Sequence, residues 1–444
     1  MTIATDPGSL ASPWAALSVI VPLAAGLLAV PLGRRAVHLG IPTAIVGLGV
    51  AVLAAAAVFD LGATSVALGG WDAPLGIRLH VDGLAAALLV MTAVVSGAVM
   101  LFSRGMFRSD SGHETRAGFA FWPLMFFVWA GMNAVFVSAD LFNLFVALEL
   151  LTLAAVALVA LEGRRETLAA AMRYLTFALL GSLAYLLGAV LLYANYGTLD
   201  MALLRSLAVT DPLTISAAAL MTAGLMAKTA LFPLHAWLPP AHAGAPAPAS
   251  ALLSALVVKA SFYIIVRLWF DVLPMAATVE LTWLLGALGG IAIVFGSLLA
   301  LRQSRLKLVV AYSTVAQLGY LFLMFPLAGG AGEEQPWAAT AWTGGIFHAL
   351  AHAPAKAAMF LAAAMMIQAM GHDRIEGLSG VAHAVPMSVF AFALASVSLM
   401  GLPPSGGFTA KYLLLTAALA GGAWLSAAVI LLGGLLAAAY LFRV

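Results

Sequence analysis

Lys228, Lys259, Lys356 and Lys411 all lie within long apolar stretches, and Lys307 stands at the mouth of another. These are the only lysines in 444 residues, while the fifteen arginines fall almost wholly in short polar connections. Arginine keeps its charge under nearly all conditions, whereas lysine is a compact cation that titrates readily on burial. Lysines confined to the apolar interior read as groups retained because they titrate. Glu149, in Leu-Phe-Asn-Leu-Phe-Val-Ala-Leu-Glu-Leu-Leu, is the one carboxylate deep in an apolar stretch. One ionised side chain at the bilayer centre costs roughly 2.5–3.5 kcal/mol, so five left unpaired would exceed ~10 kcal/mol. They must face a protein interior, pair and be hydrated. Glu149 and Lys228 are the obvious opposite charges. A static ion pair locking two helices competes with a proton pathway, and four lysines, one glutamate and several histidines in one chain favour the pathway.

His348, His352 and Lys356 are spaced i, i+4, i+8. On an α-helix they share one face over about 12 Å, a ladder suited to proton hopping through water. The same spacing can ligate a metal or haem, but no cysteine and no second histidine pair within a span supplies further ligands. A packed histidine pair without transport duty is the other alternative.

Such side chains need elements that can hold them in lipid. Hydrophobic residues make up 64% and charged residues 9% of the chain, against about 25% charged in a soluble domain. This is the composition of a polytopic, all-α membrane protein. The absence of cysteine excludes disulfides and iron–sulfur ligation. The stretch Met1–Pro13 has no basic residue and Arg34 and Arg35 follow the first apolar run, which predicts a retained first span. A helix needs roughly 20 apolar residues to cross. Thirteen spans are predicted, at about 14–33, 41–60, 82–103, 118–138, 141–161, 168–194, 213–236, 246–270, 278–301, 307–327, 341–370, 386–420 and 422–443. Thirteen basic residues, Arg34, Arg108, Arg116 and Lys307 among them, then fall on one side, and only Arg78, Arg205 and Arg267 on the other. By the positive-inside rule the N-terminus is expected outside the cytoplasm. Glu333 and Glu334 share that outer side.

Two spans are interrupted. Lys228 precedes Pro233 in Met-Ala-Lys-Thr-Ala-Leu-Phe-Pro-Leu-His, and Lys411 follows Gly-Leu-Pro-Pro-Ser-Gly-Gly-Phe-Thr-Ala, with Pro403 and Pro404 at the break. Proline removes a backbone donor, and open backbone at membrane depth survives only inside protein or beside water. Matched breaks suggest two inverted five-helix repeats, 118–270 and 278–443, after a three-helix segment, 1–117. Ordinary proline kinks are the competing reading. Tyr312, Ser313, Thr314 and Gln317 could order water near Lys307, or make plain interhelical bonds. Asp140 is expected to be solvated at a helix junction, and His235 and His242 to flank a turn. No nucleotide loop, nucleophile triad, redox-cofactor ligand set or nucleic-acid surface is evident.

These residues resemble the antiporter-like subunits shared by respiratory complex I, membrane-bound hydrogenases and Mrp-type multisubunit cation/proton antiporters. Asp140-Leu-Phe-Asn-Leu-Phe with Glu149 is similar to the family's fifth helix, and Lys228-Thr-Ala-Leu-Phe-Pro-Leu-His-Ala-Trp-Leu-Pro to its broken seventh helix. Lys259 matches its eighth-helix lysine and Leu306-Lys307 through Tyr320 its tenth-helix signature. His348 to Lys356 matches its eleventh-helix relay, and Gly401 to Lys411 its broken twelfth helix. Trp71 to Ile77 and Lys411 resemble the D-type member of the Mrp antiporters best, although some complex I members also carry lysine there. The resemblance implies fourteen core helices, one more than the thirteen read here, so the final helix is either beyond Val444 or lacking.

It also implies a proton path of two half-channels in the inner membrane. Glu149 tunes Lys228, Lys228 holds and releases a proton, Lys259 and the His348–His352–Lys356 ladder carry it, and Lys411 delivers it. Moving one charge through 100 mV involves about 2.3 kcal/mol, under two pKa units of lysine tuning, which a change in the Glu149–Lys228 separation is expected to supply. Other membrane subunits are the implied partners, with protons carried here and sodium in a partner. A redox-driven complex I or hydrogenase subunit, and a scaffold with static ion pairs, are the alternatives. No cofactor is expected.

Overall fold

Backbone N–H and C=O groups in lipid must be satisfied within the segment, so a chain this apolar resolves into helices. The structure, a computed structural model, describes residues 13–107, 115–329 and 336–444, and Arg108, Glu333 and Glu334 lie outside them. Helices α1 (Pro13–Leu32) and α2 (Gly40–Leu61) are joined by a 3₁₀ turn. An antiparallel hairpin of β1 (Thr64–Ala67) and β2 (Arg78–Val81) follows, with Thr64 opposite Val81. Then come α3 (Gly83–Met106), α4 (Arg116–Val137), α5 (Leu141–Val159), α6 (Arg165–Tyr196), α7 (Met201–Leu207), α8 (Pro212–Thr229), α9 (Leu238–Gly244) and α10 (Ala247–Leu252). Helix α11 (Val258–Val266) lies between two π-helical segments, Leu253–Val257 and Arg267–Val272. The remainder is α12 (Val279–Arg302), α13 (Leu306–Phe322), α14 (Met324–Leu327), α15 (Ala338–Met370), α16 (Val381–Ala384), α17 (Pro386–Met400), α18 (Gly406–Ala420) and α19 (Trp424–Phe442).

Among the described residues, ten helical stretches are long and apolar enough to cross a membrane. The first of them contains both α1 and α2, and the two broken helices add shorter pieces. The interruptions fall where proline and glycine place them, but the first half of the seventh span stops at Thr229, sooner than its apolar run suggests. The all-α expectation misses the hairpin, which forms where β-branched Thr64, Val66 and Val81 occur outside the apolar runs. Side-chain caps on Asp82, Thr115, Asp140, Asp200, Thr278 and Ser405 start six of the helices.

The chain forms two compact units. The first comprises residues 1–164, 178–225 and 260–276. In it α1 packs on α4, α2 on α3 and α4 on α5. Asn133 of α4 donates to the Ser18 carbonyl at 2.6 Å, and Tyr263 to the Phe136 carbonyl at 2.8 Å. The second comprises residues 165–177, 226–259 and 277–444. Here α12 packs on α13 and α19, and α15 on α17 and α18, around Ile293, Tyr320, Leu323, Leu414, Ala417 and Ile430. A Cβ on Gly319 would stand 2.3 Å from the Gly289 carbonyl oxygen, so α12 and α13 touch backbone to backbone.

Candidate functional site

The second unit gathers most of the residues singled out above. Lys259 is 1% exposed, and its Nζ lies 2.6 Å from His352 Nδ1 and donates to the Ser254 carbonyl at 2.9 Å. That carbonyl belongs to the π-helical segment before α11, where the backbone ladder is loosened to i→i+5. Ser254 Oγ is 2.8 Å from Thr314 Oγ1 on α13. One helix, α15, carries His348, His352 and Lys356, all buried, with the two rings 5.9 Å apart. Pro354 sits between His352 and Lys356 in α15 and takes one backbone donor out of that ladder. Lys356, fully buried, donates to the Val310 carbonyl at 2.7 Å and to Ser313 Oγ. His348 Nε2 donates to the Gln317 carbonyl at 3.1 Å.

The two breaks follow one plan. Each first half-helix ends at a residue with positive φ, Ala230 (58°) or Gly401 (82°), with Pro233 or Pro404 three positions on. The last four carbonyls of a helix lack backbone partners and carry partial negative charge. Lys228, 6% exposed, stands in the last turn of α8, where Trp237 Nε1 satisfies the Ala227 carbonyl at 2.9 Å. Lys411 begins on α18 but reaches back to the end of α17, donating to the Leu399 carbonyl at 2.7 Å and the Met400 carbonyl at 3.3 Å. Gln317 Nε2 shares the Leu399 oxygen at 3.0 Å. A Cβ at position 401 would meet Lys411 Cδ at 2.7 Å, so glycine both ends α17 and lets the lysine stem pass.

Lys259, Lys356 and Lys411 have no carboxylate partner among the described residues. Carbonyls, hydroxyls and imidazole accept N–H from an amine in either protonation state, so these seats do not fix a charge the way an ion pair does. His348 and His352 are not joined by a third His, Asp or Glu that would make a metal site among the described residues.

Other residues singled out in the sequence take these places. Lys307 is half-buried and donates to the Ala245 carbonyl at 3.0 Å. Ser313 serves Lys356, Thr314 serves Ser254, and Gln317 serves His348 and the Leu399 carbonyl, so none of these bonds orders water around Lys307. His242 lies within α9 with no exposed surface, its ring 5.1 Å from that of Phe360. Asp140 caps α5 through Asn143 N at 2.8 Å.

The first unit holds Glu149, half-buried on α5, which accepts from Ser182 Oγ. It also holds a cavity of about 300 Å³ that the sequence did not reveal. Arg78, Arg205 and Arg267, the three arginines that the positive-inside reading set apart from the rest, all line it. Arg267 is a buried residue at a helix end and not a loop arginine, bonded to Asp82 at 2.6 and 2.7 Å and to Asp271 at 2.6 Å. Arg78 pairs with Asp200 at 3.0 Å. Burial alone would raise the Asp82 carboxyl, but the bonds and charge of Arg267 hold it below the usual carboxylate value. His80, bonded to Ser65 at 2.7 Å, is pushed down by burial, against the opposing pull of Asp82. The i, i+4 spacing of Arg267 and Asp271 was the available signal.

The family profile described as NADH:quinone oxidoreductase/Mrp antiporter, TM, matches residues 138–437. The chain belongs to this antiporter-like family. Its relatives include the N subunit of the NADH-quinone oxidoreductase of Desulforudis audaxviator, 36% identical over 96% of this chain and 85% of that protein. The D subunit of the Na(+)/H(+) antiporter of Alkalihalophilus pseudofirmus is 32% identical over 87% of this chain and 76% of its own length. Among solved structures, a chain of the Mrp complex from Dietzia sp. superposes with a TM-score of 0.88 at 27% identity, covering 97% of this chain and 79% of that one. A chain of the archaeal membrane-bound sulfane sulfur reductase gives 0.86 at 30% identity, covering 97% and 86%. This antiporter-like subunit is therefore a multi-pass membrane protein whose relatives sit in two kinds of complex.

Proposed function

We propose that this subunit conducts protons along the row of amines and imidazoles in its second unit. The observation that carries the reading is the direct Lys259–His352 contact, in a row where Lys259, Lys356 and Lys411 lack carboxylate partners among the described residues. Lys259 passes a proton to His352. His348 and Lys356 extend the row along α15, and Lys411 delivers the proton at the second break. Lys228 is the entry amine, with Glu149 as the carboxylate that biases it, and Lys307 supplies protons from the cytoplasmic side. A static scaffold of ion pairs is disfavoured at Lys259, Lys356 and Lys411, which rest on neutral acceptors. The matched breaks support two inverted repeats, 118–270 and 278–443.

We place the subunit in the inner membrane, N-terminus outside, in a multisubunit cation/proton antiporter, with sodium crossing in a partner. The Trp71–Ile77 segment, Lys411 and the relatedness to the antiporter D subunit support this. A second reading, a proton-pumping subunit of a redox-driven complex, is favoured by the 36% identity to the oxidoreductase N subunit and by the sulfane sulfur reductase fold match. Purification in mild detergent separates them: cation-antiporter subunits alone support the first, flavin and iron–sulfur subunits the second. The conduction reading is tested in membrane vesicles bearing the assembled complex. Lys228→Ala, Lys259→Ala and Glu149→Gln are each expected to cut proton-coupled transport by ~10-fold or more, the equivalent of about 1.4 kcal/mol on the limiting step. Wild-type rates in all three would overturn it.

A further inference from the structure

Lys411 lacks the partner that buried ammonium groups ordinarily require. Among the described residues no carboxylate reaches it, and two carbonyl oxygens take its N–H groups. Its Nζ lies 4.3 Å from the centroid of the Tyr320 ring, well inside the roughly 6 Å range over which a ring face attracts a cation. We propose that the π face of Tyr320 is the counter-charge of Lys411, holding the protonated amine at the second break. This rests on the proton-conducting reading above and names the residue that positions its last amine.

The ring is fixed for that task. Tyr320 has no exposed surface, and its hydroxyl points to the Ile430 carbonyl at 3.4 Å. A Cβ on Gly433 would meet that hydroxyl at 2.3 Å, so α19 carries a glycine where the tyrosine tip must lie. The His348 ring is 5.3 Å from the Tyr320 ring, which therefore neighbours both the end of the α15 ladder and Lys411. A ring quadrupole attracts an ammonium but, unlike a carboxylate, forms no ion pair that must be broken when the proton leaves. The titratable groups facing this locus are Tyr320 from α13, His348 and His352 from α15, and Tyr440 from α19. The packed elements α14 and α17 contribute none.

The test varies the quadrupole at constant shape. Position 320 is replaced by Phe, then by 4-fluoro- and 3,4,5-trifluorophenylalanine, in the assembled complex in vesicles, and transport is measured from pH 6 to 9.5. Tyr320→Phe keeps the ring face and is expected to keep the profile. Each fluorine weakens the face, so the alkaline limb is expected to move stepwise to lower pH, by ~0.5–1 unit across the series. Tyr320→Leu, checked for assembly by co-purification, is expected to match or exceed the trifluoro shift. A limb that does not move with fluorination overturns the proposal while leaving conduction standing. Undiminished transport in Lys411→Ala would instead remove the conducting role of Lys411 itself.

Discussion

Lys259 and His352 are 93 positions apart in the chain and 2.6 Å apart in the fold. Residue types and local spacing announced both: a lysine in an apolar run, and a histidine one helical turn from another titratable group. Their pairing was not legible, because only the packing of α10 and its π-helical continuation against α15 creates it. Tyr320 was hidden for a different reason, since an aromatic at helical spacing reads as core and is core, with its face doing the electrostatic work. If the contact is a step in the path and not packing alone, losing either partner breaks the same step. Lys259→Ala and His352→Ala are each expected to lower transport ~10-fold or more, and the double variant to lose little beyond the worse single one. Initial rates of proton-coupled transport in vesicles give the cycle. Fully multiplicative losses would mean that the two side chains act independently.

The elements were the most legible level where backbone chemistry is local. Pro233, Pro403, Pro404 and Gly401 announced both breaks. The π-helical segments had no such sign, since an i→i+5 turn is selected by its surroundings, here including the Lys259 amine on the Ser254 carbonyl. Gly401→Ala puts Cβ in a left-handed position, at about 1–2 kcal/mol, and against the Lys411 stem. Gly371 offers the matched control, because it has φ 76° with open space around its Cβ direction. Gly371→Ala should lose comparable thermal stability and keep transport, whereas Gly401→Ala should lose both. Equal transport in the two would show that the break does not position Lys411.

The hairpin makes a second prediction at this scale. His80 and Asp82 both have lowered folded values, so the unfolded chain binds more protons and stability rises with pH. The contribution of His80 is complete above 6.5 and lost as pH falls through its lower folded value, and that of Asp82 is complete above 3.8 and lost below it. Hydrogen exchange of residues 64–81, corrected for intrinsic rates, should therefore loosen in two steps on acidification. His80→Gln should abolish the upper step alone. Its persistence would assign that step to another group.

At the scale of the molecule, basic charge is divided by type: arginine at the connections, lysine in the interior. The division was readable in the sequence, and the fold supplies its sense. Lys259, Lys356 and Lys411 occupy seats that accept N–H from an amine whether or not it is charged, while Arg267, a buried arginine, is clamped by two carboxylates. A clamp suits a charge that stays, and neutral acceptors suit one that comes and goes. Lys→Arg at each of the three interior sites conserves charge but installs a group that does not release its proton at working pH. Each is expected to reduce transport ~10-fold or more. Lys→Met, matched in length and uncharged, should lose transport equally, which separates the need to titrate from the need for charge. Arg→Lys at Arg34 and Arg35, in the turn between α1 and α2, and at Arg116, the first residue of α4, should leave rates unchanged, with subunit co-purification confirming assembly throughout. If arginine sustained wild-type transport at Lys259, Lys356 and Lys411, charge alone would suffice there, and the partition of lysine from arginine would have no bearing on conduction.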